Sequence, residues 1–82
     1  MKAQTIACIE NVKTILEDSG SCMEDVVDVT SFLINMDRDF GDYNSIYAEY
    51  FNEIQPTRTT LEISALPTPI AVEMKIIAKI ND

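Results

Sequence analysis

Histidine is absent from this chain, and with it go Ser–His and Cys–His nucleophilic pairs and the usual His-bearing zinc sites. The two cysteines, Cys8 and Cys22, are too few for the disulfide framework of a small secreted domain. Cys8 falls on a helical pattern as a small near-core residue and Cys22 in a connection, so neither reads as a catalytic thiol. Basic residues are scarce, six against fourteen acidic for a net charge of −8. Lys2, Lys13, Arg38, Arg58, Lys75 and Lys79 are also scattered, with no continuous patch for a phosphate backbone, which disfavours nucleic acid as a partner. No apolar run approaches the roughly 18–20 residues of a membrane span. The start, Met-Lys-Ala-Gln-Thr, lacks the apolar centre of a secretory signal, and a cytoplasmic location is the expectation. With only two Gly and three Pro, no repeat and no low-complexity run, the composition is that of a globular chain. Its 82 residues bound it to one small domain, residues 1–82, of a size that often leans on partners for stability.

What is present reads as two helices and three strands. From Gln4 to Asp18, Ile6, Ile9, Val12, Ile15 and Leu16 recur at three-and-four spacing, with Ser19-Gly20 as the helix stop. Val26 to Ile34 is β-branched and reads as a strand, with Val27, Val29 and Leu33 facing one way and Asp28, Thr30 and Phe32 the other. A loop follows in which Asp37 or Asp39 caps a second helix, Phe40 to Glu53. Phe40, Tyr43, Tyr47, Tyr50, Phe51 and Ile54 make a helical aromatic stripe whose first reading is core packing. Thr59 to Ser64 alternates, with Thr59, Leu61 and Ile63 opposite Arg58, Thr60, Glu62 and Ser64. After the rigid connection Leu66-Pro67-Thr68-Pro69, Ile70 to Ile80 is the clearest strand, Ile70, Val72, Met74, Ile76, Ala78 and Ile80 forming its apolar face. The order αβαββ is an α+β domain in which two helices cover the apolar face of a mixed sheet. The crossover helix makes the first two strands parallel.

Chemistry concentrates in Pro56-Thr57-Arg58-Thr59-Thr60, Leu66-Pro67 and Val72-Glu73-Met74. The alternation sets Arg58 and Glu73 on one face of the sheet, a guanidinium able to fork a carboxylate near a carboxylate able to handle a proton or a water. The plainer readings are a surface Arg58 paired with Glu62, and a solvated Glu73 beside Lys75 or Lys79.

Together with Asn11-Val12-Lys13 through Gly20, Asp25-Val26-Val27 through Phe32-Leu33, and Asp39-Phe40 followed by Tyr43-Asn44 and Tyr47, these segments resemble the YjgF/RidA family of reactive-intermediate deaminases. The resemblance covers nearly the whole chain, from Gln4 to Ala78. It implies a chorismate-mutase-like fold, a homotrimer with clefts between subunits, and hydrolysis of 2-imino acids or their enamine tautomers to 2-keto acids and ammonia without metal or cofactor. By position it implies Arg58 as the carboxylate anchor, Glu73 as the residue that activates or holds water, and Asn44 as a lining residue of the cleft. Thr60 stands where deaminases of the family often carry Cys, so there its backbone contributes and a thiol does not. The family also has an N-terminal β-hairpin and strand with no counterpart among these residues, which leaves Ile70–Ile80 with one bare edge unless another subunit pairs with it. Two alternatives therefore stand beside the deaminase: a non-catalytic trimeric module binding small carboxylates, and a truncated remnant of a deaminase.

Overall fold

Two helices lie side by side on one face of a three-stranded sheet in the computed structural model, which describes residues 1–67 and 69–80. The elements are α1 (Lys2–Asp18), a 3₁₀ turn (Met23–Asp25), β1 (Val26–Leu33), α2 (Met36–Phe51), β2 (Thr57–Glu62) and β3 (Val72–Ala78). Thr68, in the expected connection before β3, lies outside the described residues.

Helix α1 ends as its Ser-Gly pair foretells. Gly20 takes φ 85°, which lets Ser21 N–H reach back to Leu16 O at 2.8 Å and satisfy a carbonyl that the last turn leaves open. Its buried stripe differs from the expected one. Thr5 and Ile9 are fully buried with Cys8, Val12 and Leu16 beside them, while Ile6 and Ile15 are exposed. Helix α2 starts earlier than the aspartates suggested. Asn35 is the N-cap, its Oδ1 accepting from Arg38 N at 3.0 Å. Glu62 Oε1 accepts from Met36 N at 2.7 Å, so a strand residue satisfies another open amide of the first turn. Asp39 is instead buried and held by Arg38, whose Nε and Nη2 each donate to its carboxylate at 2.7 Å. Those charge-assisted bonds hold the Asp39 carboxyl below the usual carboxylate range.

The sheet order is β2-β1-β3, with β1 central, parallel to β2 and antiparallel to β3. The parallel pair is the one the crossover helix requires. Among the described residues β3 has a free outer edge. Register sorts the faces. Val29 pairs with Arg58 and Ile76, Ser31 with Thr60 and Met74, and Leu33 with Glu62 and Val72; all of these face the helices. Val29, Ser31 and Leu33 are fully buried there. A bulge at Val26/Asp28 makes Val27 the extra residue, so Val26 is buried and Val27, expected beside Val29, is exposed.

The expected facing of β2 is thus reversed. Arg58, Thr60 and Glu62 lie on the helix side, and Thr57, Thr59 and Leu61 look outward with Thr30, Phe32, Glu73, Lys75 and Ile77. Pairing register with β1 overrides the hydropathy of a short edge strand. The outer face is mixed rather than polar, with Leu61 and Ile77 exposed.

Tyr43, Phe51, Ile9, Leu33 and Val29 are the largest apolar side chains with no appreciable exposure, each contributing about 1.5–3 kcal/mol by burial. The Tyr43 hydroxyl shares a hydrogen bond with Ser31 in this core. Burial pushes the Tyr43 phenol up to about 12. Tyr47 is also raised, by burial, and Tyr50 by its bond to Glu10. A phenol that resists ionisation in the folded chain contributes stability that is complete below its unfolded value, about 10, and disappears as pH climbs through the folded one. Urea unfolding followed from pH 9 to pH 12 is expected to show stability falling with rising pH. Ser31→Ala combined with Tyr43→Phe is expected to flatten that slope.

Candidate functional site

The turn between α2 and β2 builds the site. Gln55 N–H bonds Phe51 O at 2.9 Å and Gln55 takes φ 52°, a left-handed conformation uncommon for a side chain of its size. Pro56 follows and bars further helix. The reversal carries β2 back beside the helix it has just left. Asn44, Tyr47, Ala48 and Phe51, at i, i+3, i+4 and i+7 on α2, then line one cleft of about 330 Å³ with Asn52, Gln55, Pro56 and Arg58.

Arg58 is the charged member of that lining. Its Nη1 donates to Asn44 Oδ1 at 2.7 Å, and its Cζ lies 4.6 Å from the centroid of the Tyr47 ring and 5.9 Å from that of Phe40. The aromatic contacts are cation–π contacts, favourable because the ring face is electron-rich. Glu62, the partner considered for Arg58, is engaged with the start of α2 instead. Among the described residues the ion pair present is Arg38–Asp39, so Arg58 has no carboxylate partner there. An unpaired guanidinium with free donors is unusual in a chain with fourteen acidic residues. It suits an incoming anion.

Asn44 and Arg58, expected together, are together, and Asn44 spends its oxygen on the guanidinium. Thr60, two residues along β2, shares Arg58's face opposite Ser31 and is half-buried. Glu73 does not join them. It pairs with Phe32, three positions along β1 from Val29, and so lies on the other face of the sheet from Arg58. Two strand spacings and three residues of offset separate their Cα atoms by roughly 14 Å. The shared face expected from alternation is therefore wrong, because β2 turns its Arg toward the helices. Glu73 instead lines a mainly apolar groove of about 330 Å³ along the free edge of β3 with Gln4, Cys8, Asn11, Val12 and Ile70. Burial, with Glu73's charge adding to it, pushes the Cys8 thiol up, against a lowering by the Met74 backbone; the nucleophilic thiolate is thereby disfavoured. Among the described residues no three His, Cys, Asp or Glu side chains gather where a metal ion could be held.

Tyr47 was hidden in the sequence by its own stripe. Its neighbours Tyr43 and Phe51 are core, and Tyr47 stacks on Phe51 at 4.6 Å between ring centroids, so packing is the natural first reading. The available signal was its place three residues after Asn44 on one helix face.

The fold defines a two-helix, mixed-sheet α+β domain with a guanidinium at the sheet edge. The family model described as Endoribonuclease L-PSP matches residues 1–80. A RutC family protein of Pyrococcus abyssi is 45% identical over 78 residues, 95% of this chain and 61% of that protein. The YjgF gene product of E. coli superposes with a TM-score of 0.86 at 32% identity, covering 94% of this chain and 62% of that one. E. coli TdcF with bound serine gives 0.86 at 30% identity with the same coverage. The chain belongs to the YjgF/RutC family, described in its model as Endoribonuclease L-PSP, and spans about three fifths of the length of these relatives.

The Tyr47 hydroxyl is buried without a hydrogen-bond partner among the described residues. Leaving such a group unpaired costs about 1–3 kcal/mol. Tyr47→Phe is expected to raise stability by about 1 kcal/mol in urea unfolding at unchanged m-value. A loss of stability would mean that the hydroxyl is bonded.

Proposed function

We propose that this chain supplies both halves of a cofactor-free site for hydrolysing 2-imino acids to 2-oxo acids and ammonia, each half to a different neighbour in a homotrimer. The observation that carries the reading is the unpaired Arg58, held by Asn44 and Tyr47 at an open cleft. The bound serine of the neighbouring TdcF structure is a small carboxylate, in keeping with such an anchor.

In this reading Arg58 forks the acid's carboxylate, which fixes the C2 imine carbon relative to the protein. Glu73 comes from an adjoining copy, since within one chain it lies on the opposite face. It accepts a proton from a water as the water's oxygen bonds to C2, and the imine π-electrons pass to nitrogen. That proton, delivered to the nitrogen, completes the carbinolamine; Glu73 then takes the hydroxyl proton and passes it to the amino nitrogen as the C2–O bond becomes a carbonyl and the C2–N bond breaks. Ammonia leaves and the 2-oxo acid remains on Arg58. The imine is electrophilic from the outset, so an anchor, a placed water and a proton carrier suffice. Thr60 backs Arg58 on the same face of β2. Phe32, Leu61, Ile77 and Val27, half-buried or exposed on the open face of the sheet, supply apolar surface for the neighbouring copy.

A binding module without hydrolysis is the second reading, favoured by the serine complex and by the separation of Arg58 from Glu73 in one chain. RNA cleavage has less support, because the cations are few and dispersed in a chain of net charge −8.

Subunit complementation tests the proposal. Arg58→Ala and Glu73→Ala are each expected to abolish release of 2-oxobutanoate from 2-iminobutanoate. Co-refolded in equal amounts, the two variants are expected to regain about a quarter of the wild-type rate, since random mixing restores both residues at one site in four. No recovery in mixed trimers would sink the shared site. A wild type that binds 2-oxobutanoate yet never exceeds the uncatalysed rate would leave the binding module.

A further inference from the structure

We infer that Tyr47 is a positioning residue for Arg58: its ring face, with Asn44 Oδ1, holds the guanidinium in one orientation, so that the remaining N–H donors are presented to the cleft before an acid arrives. This rests on reading Arg58 as the acid's anchor, and it adds a residue that packing had seemed to account for.

Arginine has a long, rotamer-rich side chain, and a free one must be ordered at every binding event. Here three contacts act on a single guanidinium. Asn44 accepts from Nη1 at 2.7 Å, Tyr47 lies beneath Cζ at 4.6 Å, and Phe40 stands at the longer distance of 5.9 Å. None of the three carries charge, so the clamp orders Arg58 without neutralising it. A carboxylate clamp would order it equally well and block the ligand. Tyr47 is itself held by stacking on Phe51 at 4.6 Å and by its contact with Tyr43, whose centroid is 5.9 Å away. The support is rigid because Tyr43 and Phe51 are core residues with almost no exposure. The left-handed Gln55 at the lip of the cleft sets the reversal that brings β2 past this ring. Among the described residues the Tyr47 hydroxyl makes no bond that would explain a tyrosine here by packing alone. The ring face is the part in use.

The test combines a measurement on the unaltered protein with two substitutions. In the wild-type chain the Arg58 Nε–H and δ-protons are expected to show ring-current shifts away from random-coil positions, and the Nε–H signal is expected to move on titration with 2-oxobutanoate. Random-coil positions in the folded protein would overturn the inference whatever any variant does. In the imine assay, Tyr47→Leu is expected to raise KM about tenfold with kcat within twofold, the size of one lost cation–π contact. Tyr47→Phe, which keeps a ring face, is expected to stay within about threefold of wild type. Equal KM for wild type and a folded Tyr47→Leu would refute the positioning role, as would a loss confined to kcat. Should the wild type hydrolyse no imine, the deaminase reading falls. The ring-current shift and the 2-oxobutanoate titration, compared between wild type and Tyr47→Leu, then decide the clamp by themselves.

Discussion

The parallel pairing of β1 with β2, in the register that sets Val29 opposite Arg58, is the constraint on which the rest of the structure depends. Val29 cannot leave the helix face without exposing the centre of the core. Its partner is thereby committed to the same face, and the partner is an arginine. An edge strand tolerates this because Arg58 stays exposed at the rim of the sheet, where its head reaches Asn44 and Tyr47 of α2 at the cleft. One slip of register would turn Arg58 outward and bring Thr59 beneath the helices, with no guanidinium beside Asn44 and Tyr47.

From that register follows the division of the chemistry. The helix side of β2 carries Arg58, the anchor of the proposed site, and the outer face of β3 carries Glu73, the carboxylate proposed to handle water. A single copy holds the two apart across the sheet, so a site that uses both must be completed from another copy. The same sheet presents an outer face with exposed Leu61 and Ile77, and β3 has an edge whose peptide groups have no strand beside them among the described residues. Unpaired edges and apolar patches of this kind favour association.

Much of the architecture was legible in the residues. Ser19-Gly20 announced the end of α1 through the left-handed conformation that Gly supplies, and Pro56 the end of helical backbone before β2. The β-branched run of β1 and the alternation of β3 identified strands, and the intervening helix required the parallel pair. Site residues were legible only in part. Asn44 and Arg58 were named together and do meet. The N-cap was misplaced because three polar residues, Asn35, Asp37 and Asp39, were all chemically able to cap, and only the chain's path selects Asn35. The face of Val27 was misread because a bulge shifts the period by one, and a bulge has no signature in hydropathy alone.

The sequence by itself determined the elements, their order and the identity of the lone guanidinium at the head of β2, because these follow from local backbone preferences and from the period at which apolar side chains recur. Only the tertiary structure decided which way that guanidinium faces, that Tyr47 lies beneath it, and that Glu73 belongs to the opposite surface. Those are consequences of strand register and of a sharp turn at Gln55, which arise from pairing between segments distant in the chain, and no local pattern encodes such pairing.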